Sequence, residues 1–146
     1  MAYRLDVYRL ADRDFVQNPP DVDGPDFDPW LRRCDDLRLF DAPLGSGGSI
    51  STYWSHAATE LGLPLLARLY RDGLELSGSD LTTLRNEVDA LVRHWLDTVD
   101  PSETMTYSID GLRLQVPLLV DLLGRADDLP AGIRIAQRVS GYVCVG

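Results

Sequence analysis

Ser49, Ser51 and His56 are close enough in sequence to suggest a hydroxyl nucleophile beside an imidazole base. Such chemistry also needs an acid to orient the imidazole and donors for an oxyanion, and no GxSxG elbow is present. The spacing therefore reads as a serine-rich loop beside a surface or helix histidine. The second histidine, His94, follows Arg93 beside Trp95 on the expected central helix and reads as a residue between core and surface with its polar edge wet. The two histidines lack HExxH spacing, and Cys34 and Cys144 do not complete a zinc set. Cys34 falls late in an expected helix, the wrong end to stabilise a thiolate, and Cys144 lies in an apolar strand. Both read as free thiols.

Gly45, Gly47 and Gly48, with Ser49 and Ser51, could turn backbone amides toward an anion. No GKS or GKT follows and GxGxxG is absent, so the stretch Ala42 to Ser51 is expected to be a flexible connection. If a small anionic ligand binds, this loop with His56 is where it would do so. The carboxylates of Asp21, Asp23, Asp26 and Asp28 are the first place to look for a cation. The DVDG run fails the EF-hand register, because glycine stands fourth instead of sixth and Arg32 stands twelfth instead of glutamate. No metal and no cofactor is expected.

Composition narrows the choices. Of 146 residues, 45% are hydrophobic and 25% charged, as expected for an ordered soluble domain. The formal charge is −9, which opposes a phosphate backbone and argues against nucleic-acid binding. All 14 basic residues are arginine, a pattern that high-GC coding produces. The absence of lysine removes Schiff-base chemistry, a pyridoxal-phosphate anchor and the Walker A lysine. No apolar run approaches the roughly 20 residues of a membrane span. The charged N-terminus does not resemble a signal peptide, so a cytoplasmic location and no membrane partner are expected.

These residues must be held by a scaffold whose strongest element is a helix near 78–96. There Leu81, Leu84, Val88, Leu91, Val92, Trp95 and Leu96 recur at intervals of three and four. Ser77 and Asp80 have the spacing of a capping box at its start. Tyr3 to Leu10 alternates as a half-buried strand, and Gly141 to Gly146 reads as an apolar terminal strand inside the sheet. Asp12 to Asp28, rich in proline and aspartate, is expected to be a surface loop, with Asp28–Pro29 opening a short helix that carries Trp30 and Cys34. Leu37 to Phe40 is a candidate strand. Helices are expected at Tyr53–Leu61, ended by Gly62, and at Pro64–Asp72, ended by Gly73. Asp97 to Tyr107 reads as a loop. Residues 108–126 fit either a strand then a helix from Pro117, or one helix kinked at Pro117. The second fits slightly better, with a separate last helix from Pro130. The sum is α+β: a single compact domain over 1–146, its small sheet containing both terminal strands and covered by helices on one face.

The segments DGLELSGSDLTTLRNEVDALVRHW and RIAQRVSGYVCVG resemble parts of small bacterial proteins of unassigned function. That resemblance implies a compact domain and assigns no functional residue. In size and charge the chain is also similar to small acidic immunity proteins that neutralise toxins. The expected function is a non-enzymatic interaction module of the immunity or antitoxin kind, binding a protein with a basic surface. Asp21, Asp23, Asp26, Asp28, Asp35, Asp36 and Asp41 would steer the partner, and Trp30 would supply affinity. The alternative is a small enzyme or anionic-ligand-binding domain built on Gly45–Ser51 and His56. A third option is a subunit of a larger assembly, including a homo-oligomer.

Overall fold

Residues 2–146 are described by a computed structural model. β1 (Ala2–Arg9) buries Tyr3, Leu5 and Val7 on one face, as its alternation requires. It pairs antiparallel with β2 (Phe40–Ser46) on one side and β6 (Gly141–Val145) on the other. β6 also pairs with β3 (Leu74–Ser77), giving the order β2–β1–β6–β3. Both terminal strands are therefore central, and β6 is buried along almost its whole length. The second strand begins where the Leu37–Phe40 candidate ends. β2 takes in the first half of the stretch expected to be a flexible connection, and helix takes the rest.

Helices cover this sheet on both faces, not one. The larger layer contains α7 (Ser79–Thr98) and α8 (Leu118–Arg138). On the other face lie α1 (Arg13–Val16) and α2 (Phe27–Leu37), inside or just after the expected surface loop. There Tyr8 stacks on Tyr142 at 5.8 Å, and Gln17 donates to the Tyr142 hydroxyl at 3.1 Å. Arg38, at the end of α2, approaches Asp6 to 2.9 Å and lies over the Tyr8 ring. That approach is an ion pair without hydrogen-bond alignment. The aromatic side chains on this face of β1 and β6 need cover, which local polarity alone does not reveal. α2 starts two residues earlier than Asp28–Pro29 suggests: Asp26 is its N-cap and Asp28 sits in the first turn.

In α7, Leu81, Leu84, Val88, Leu91 and Trp95 form the buried stripe, while Leu96 is exposed. The Ser77–Asp80 box does not form. Ser77 is paired with Tyr142 in the sheet, and Gly78 makes the strand-to-helix turn at φ +60°, a conformation suited to glycine. Gly62 and Gly73 end their helices in positive φ as expected. The helix before Gly62 is longer than expected. α3 (Gly47–Ser49), a π-helical segment (Ile50–His56) and α4 (Ala57–Leu61) run on continuously from the end of β2. α5 (Pro64–Ala67) and α6 (Leu69–Asp72) follow.

The kinked-helix reading of 108–126 is wrong. β4 (Thr104–Ile109) and β5 (Leu112–Pro117) form a separate hairpin, so the expected loop ends earlier as well. Asp110 and Gly111 both take positive φ, the two-residue turn whose twist suits a hairpin. α8 then runs unbroken through Pro130, with no new helix there. The proline sacrifices a backbone hydrogen bond at a cost of about 3 kcal/mol. Burial of Leu118, Leu122, Ala126, Leu129, Ile133 and Ala136 along one stripe offsets it, at about 1.5–3 kcal/mol for each large side chain.

Candidate functional site

The glycine-serine stretch is divided among three surfaces. Ser46 leaves β2 and caps the following helix, its Oγ accepting from the Ser49 amide at 3.2 Å. Gly45, Ser46 and Ser49 face a cleft of about 350 Å³, whereas Gly47 and Gly48 line another, beside Tyr70 and Arg71. His56 lies on a third, next to His94. Its exposed imidazole Nε2 is 3.1 Å from Glu60 Oε1. Ser51 is half-buried in the π-helical segment. The serines of the first cleft therefore have no histidine, and the histidine is paired with a solvated carboxylate instead of a nucleophile.

Across the first cleft stand Tyr107 from β4 and Asp121 and Arg125 from α8. The Tyr107 hydroxyl donates to Asp121 Oδ1 at 2.7 Å, and Arg125 Nη2 donates to the same hydroxyl oxygen at 3.1 Å. Arg125 Nη1 donates to the Pro43 carbonyl at 3.3 Å, and its Nε lies 3.5 Å from Asp121. One guanidinium thus links α8, β2 and the hairpin. Burial, with Asp121 alongside, pushes the Tyr107 phenol above its ordinary range, so it stays a neutral donor and not a base. The opposite charges of Asp121 and Arg125 suit a small polar or zwitterionic ligand better than a bare anion. Sequence reasoning missed Asp121 and Arg125. The one available sign was the i, i+4 spacing of Asp121 and Arg125.

The acidic segment forms a different kind of site. The Trp30 indole donates to the Phe15 carbonyl at 2.9 Å, and Phe27 stacks on Trp30 at 5.6 Å. Phe15, Pro20, Pro29 and Trp30 then line a groove of about 540 Å³ with Asp14 and Asp26 at its edge. Asp21, Asp23 and Asp28 are exposed on the same short segment, where the Asp23 amide donates to Asp21 Oδ1 in a tight turn. Residues 12–28 contain six aspartates and one arginine, and that arginine, Arg13, is paired with Glu75. The other expected steering residues separate from this group. Asp36 and Asp35 lie further along α2, with Asp35 held by Arg38 at 2.8 Å, and Asp41 on β2 is paired with Arg4. Phe15 is the groove residue that sequence reasoning missed, because it lay inside a segment read as loop.

Among the described residues, no cluster of three or more histidine, cysteine, aspartate or glutamate side chains is arranged to hold a metal ion. Both cysteines are free. Burial raises both thiols above their ordinary value, and at Cys144 the nearby Asp6 and Glu75 add to it. Neither is an activated nucleophile. No helix among the described residues is long and apolar enough to cross a membrane. No protein-family model matches the chain, and no curated protein or solved structure matches it significantly, so the functional reading rests on the two surfaces just described.

Proposed function

We propose that this chain is a non-enzymatic interaction module that binds a basic protein partner through the groove between α1 and α2. The observation that carries the reading is an aromatic groove, held in shape by the Trp30–Phe15 hydrogen bond and bordered by Asp14 and Asp26, which form no salt bridge among the described residues. An apolar side chain flanked by arginine or lysine fits it: the groove takes the apolar group, and Asp14, Asp21, Asp23, Asp26 and Asp28 meet the cations. Size and charge favour a toxin-neutralising partnership, of the immunity or antitoxin kind. On this reading the pair forms in the cytoplasm, a setting that suits two free thiols.

The test compares affinity capture by the native chain with capture by a Trp30→Ala/Asp26→Asn variant, at low and moderate salt. The native chain should retain a basic protein that the variant loses by tenfold or more, with retention falling as salt rises. Identical capture by both chains would sink the proposal.

A second reading is favoured by one specific observation, the meeting of Ser46 and Ser49 with Asp121 and Arg125 around one cleft. It makes the chain a binder of a small zwitterion or polyol, without His56. A thermal-shift panel of amino acids, sugars and sugar phosphates tests it. A hit should disappear on Arg125→Met, and no shift with any compound would end this reading.

A further inference from the structure

The β4–β5 hairpin has one apolar face and one polar face. Its register places Met105 opposite Val116, Tyr107 opposite Leu114, and Ile109 opposite Leu112, so these six side chains share a face. Thr104, Thr106, Ser108, Arg113 and Gln115 occupy the other. The inner part of the apolar face is closed, with Met105 packed against the core and Tyr107 held by Asp121. The outer part is not. Ile109 is 56% exposed, Leu112 68% and Leu114 51%. Isolated aliphatic side chains at a surface are ordinary, whereas these three are neighbours and make one contiguous apolar patch, the size at which a patch on a monomer is often functional. A lone hairpin is marginally stable in water, which makes this open face an energetic weak point.

We infer that the open hairpin face is covered by the same face of a second copy of this chain. Charge favours that occupant. The chain as a whole carries −9, yet residues 104–120 contain one aspartate and one arginine and are locally neutral. A basic partner recruited by the acidic groove finds only Asp110 here. Two acidic chains can approach through this strip without the repulsion they would meet elsewhere. The apolar pattern is also self-complementary: a two-fold axis through the face sets Ile109 and Leu112 of each copy against those of the other. The uncovered apolar area, roughly 300 Å² per chain, is well below the roughly 800 Å² per partner of a standard stable interface. The dimer is therefore weak and reversible, forming within the range up to several hundred micromolar.

Sedimentation velocity of the native chain, from low micromolar to several hundred micromolar, tests this. The average mass should rise from that of one chain toward that of two, while a Leu112→Thr/Leu114→Thr variant stays at one. Threonine keeps the strand preference and both sites are exposed, so the variant should melt with the native chain. Hydrogen exchange of the native chain gives an independent reading, because protection of residues 104–117 should increase with concentration. A native chain that remains monomeric throughout, or a variant that associates equally well, overturns the inference. A Trp30→Ala chain should dimerise normally, which separates this outcome from failure of the groove.

Discussion

Glu87→Ala should lower the unfolding free energy by about 3 kcal/mol, from the loss of two charge-assisted hydrogen bonds in a buried site. Glu87 is one of the few buried polar side chains, 5% exposed, on the inner side of α7. Its two carboxylate oxygens accept from the amides of Leu66 at 2.9 Å and Leu65 at 3.3 Å, in the first turn of α5. That turn has no cap of its own. Leu63 is its N-cap residue and offers no acceptor, and Pro64 has no N–H. A carboxylate more than 20 residues away supplies what a local serine or aspartate would otherwise provide. Ser55 secures the same segment from the π-helical side, donating to the Leu66 carbonyl and accepting from the Tyr70 amide.

Alanine at 87 leaves two donors without their acceptor, one of them fully buried. Urea titration should show a lower midpoint with an unchanged slope, and the melting temperature should fall by about 6–12 °C. Glu87→Gln should fall between the two, since its amide keeps one acceptor and turns a donor toward a donor. A loss under about 1 kcal/mol for the alanine variant would show that the two amides find other acceptors.

The second large effect is expected at the centre of the helical layer. Trp54→Ala should cost about 3–5 kcal/mol, the range for removing a large aromatic from a packed core. Trp54 is fully buried and meets Trp95 edge-to-face, with centroids 5.1 Å apart. The two indoles differ in one respect that a milder substitution exposes. Trp95 Nε1 donates to the Tyr53 carbonyl at 2.8 Å, whereas Trp54 Nε1 has no acceptor among the described residues. Phenylalanine at 54 therefore removes a buried donor that makes no bond to the protein, while phenylalanine at 95 discards a bond already made. Trp95→Phe should be the more destabilising of the two by about 1 kcal/mol in chemical denaturation. The reverse order would refute this account of the pair.

The candidate sites were legible to different degrees. The acidic segment and Trp30 could be found from composition, because solvated aspartates stay at the surface wherever the chain goes. That Phe15 would complete a groove with Trp30 could not, since residues 12–28 carry no periodic signal and their short helix depends on covering Tyr8 and Tyr142. The glycine-serine stretch brings Gly45 and Ser49 to a cleft, but the polar groups facing them come from elsewhere. Tyr107 and Arg125 reach that cleft only because the hairpin folds onto α8 and α8 crosses β2. His56, adjacent in sequence, is turned to another face.

Local sequence pattern determined the α+β class, the central helix, both terminal strands and the stops at Gly62 and Gly73. These follow from the spacing of apolar side chains and from backbone preference, both of which act over a few residues. Only the tertiary structure decided that 104–117 is a hairpin, that α8 continues through Pro130, and that Glu87 caps a distant turn. In the last two, burial against distant residues outweighs the local preference; the hairpin is held by its cross-strand pairing and by Tyr107 on Asp121 and Arg125. The energy that selects the conformation comes from neighbours the linear order does not reveal.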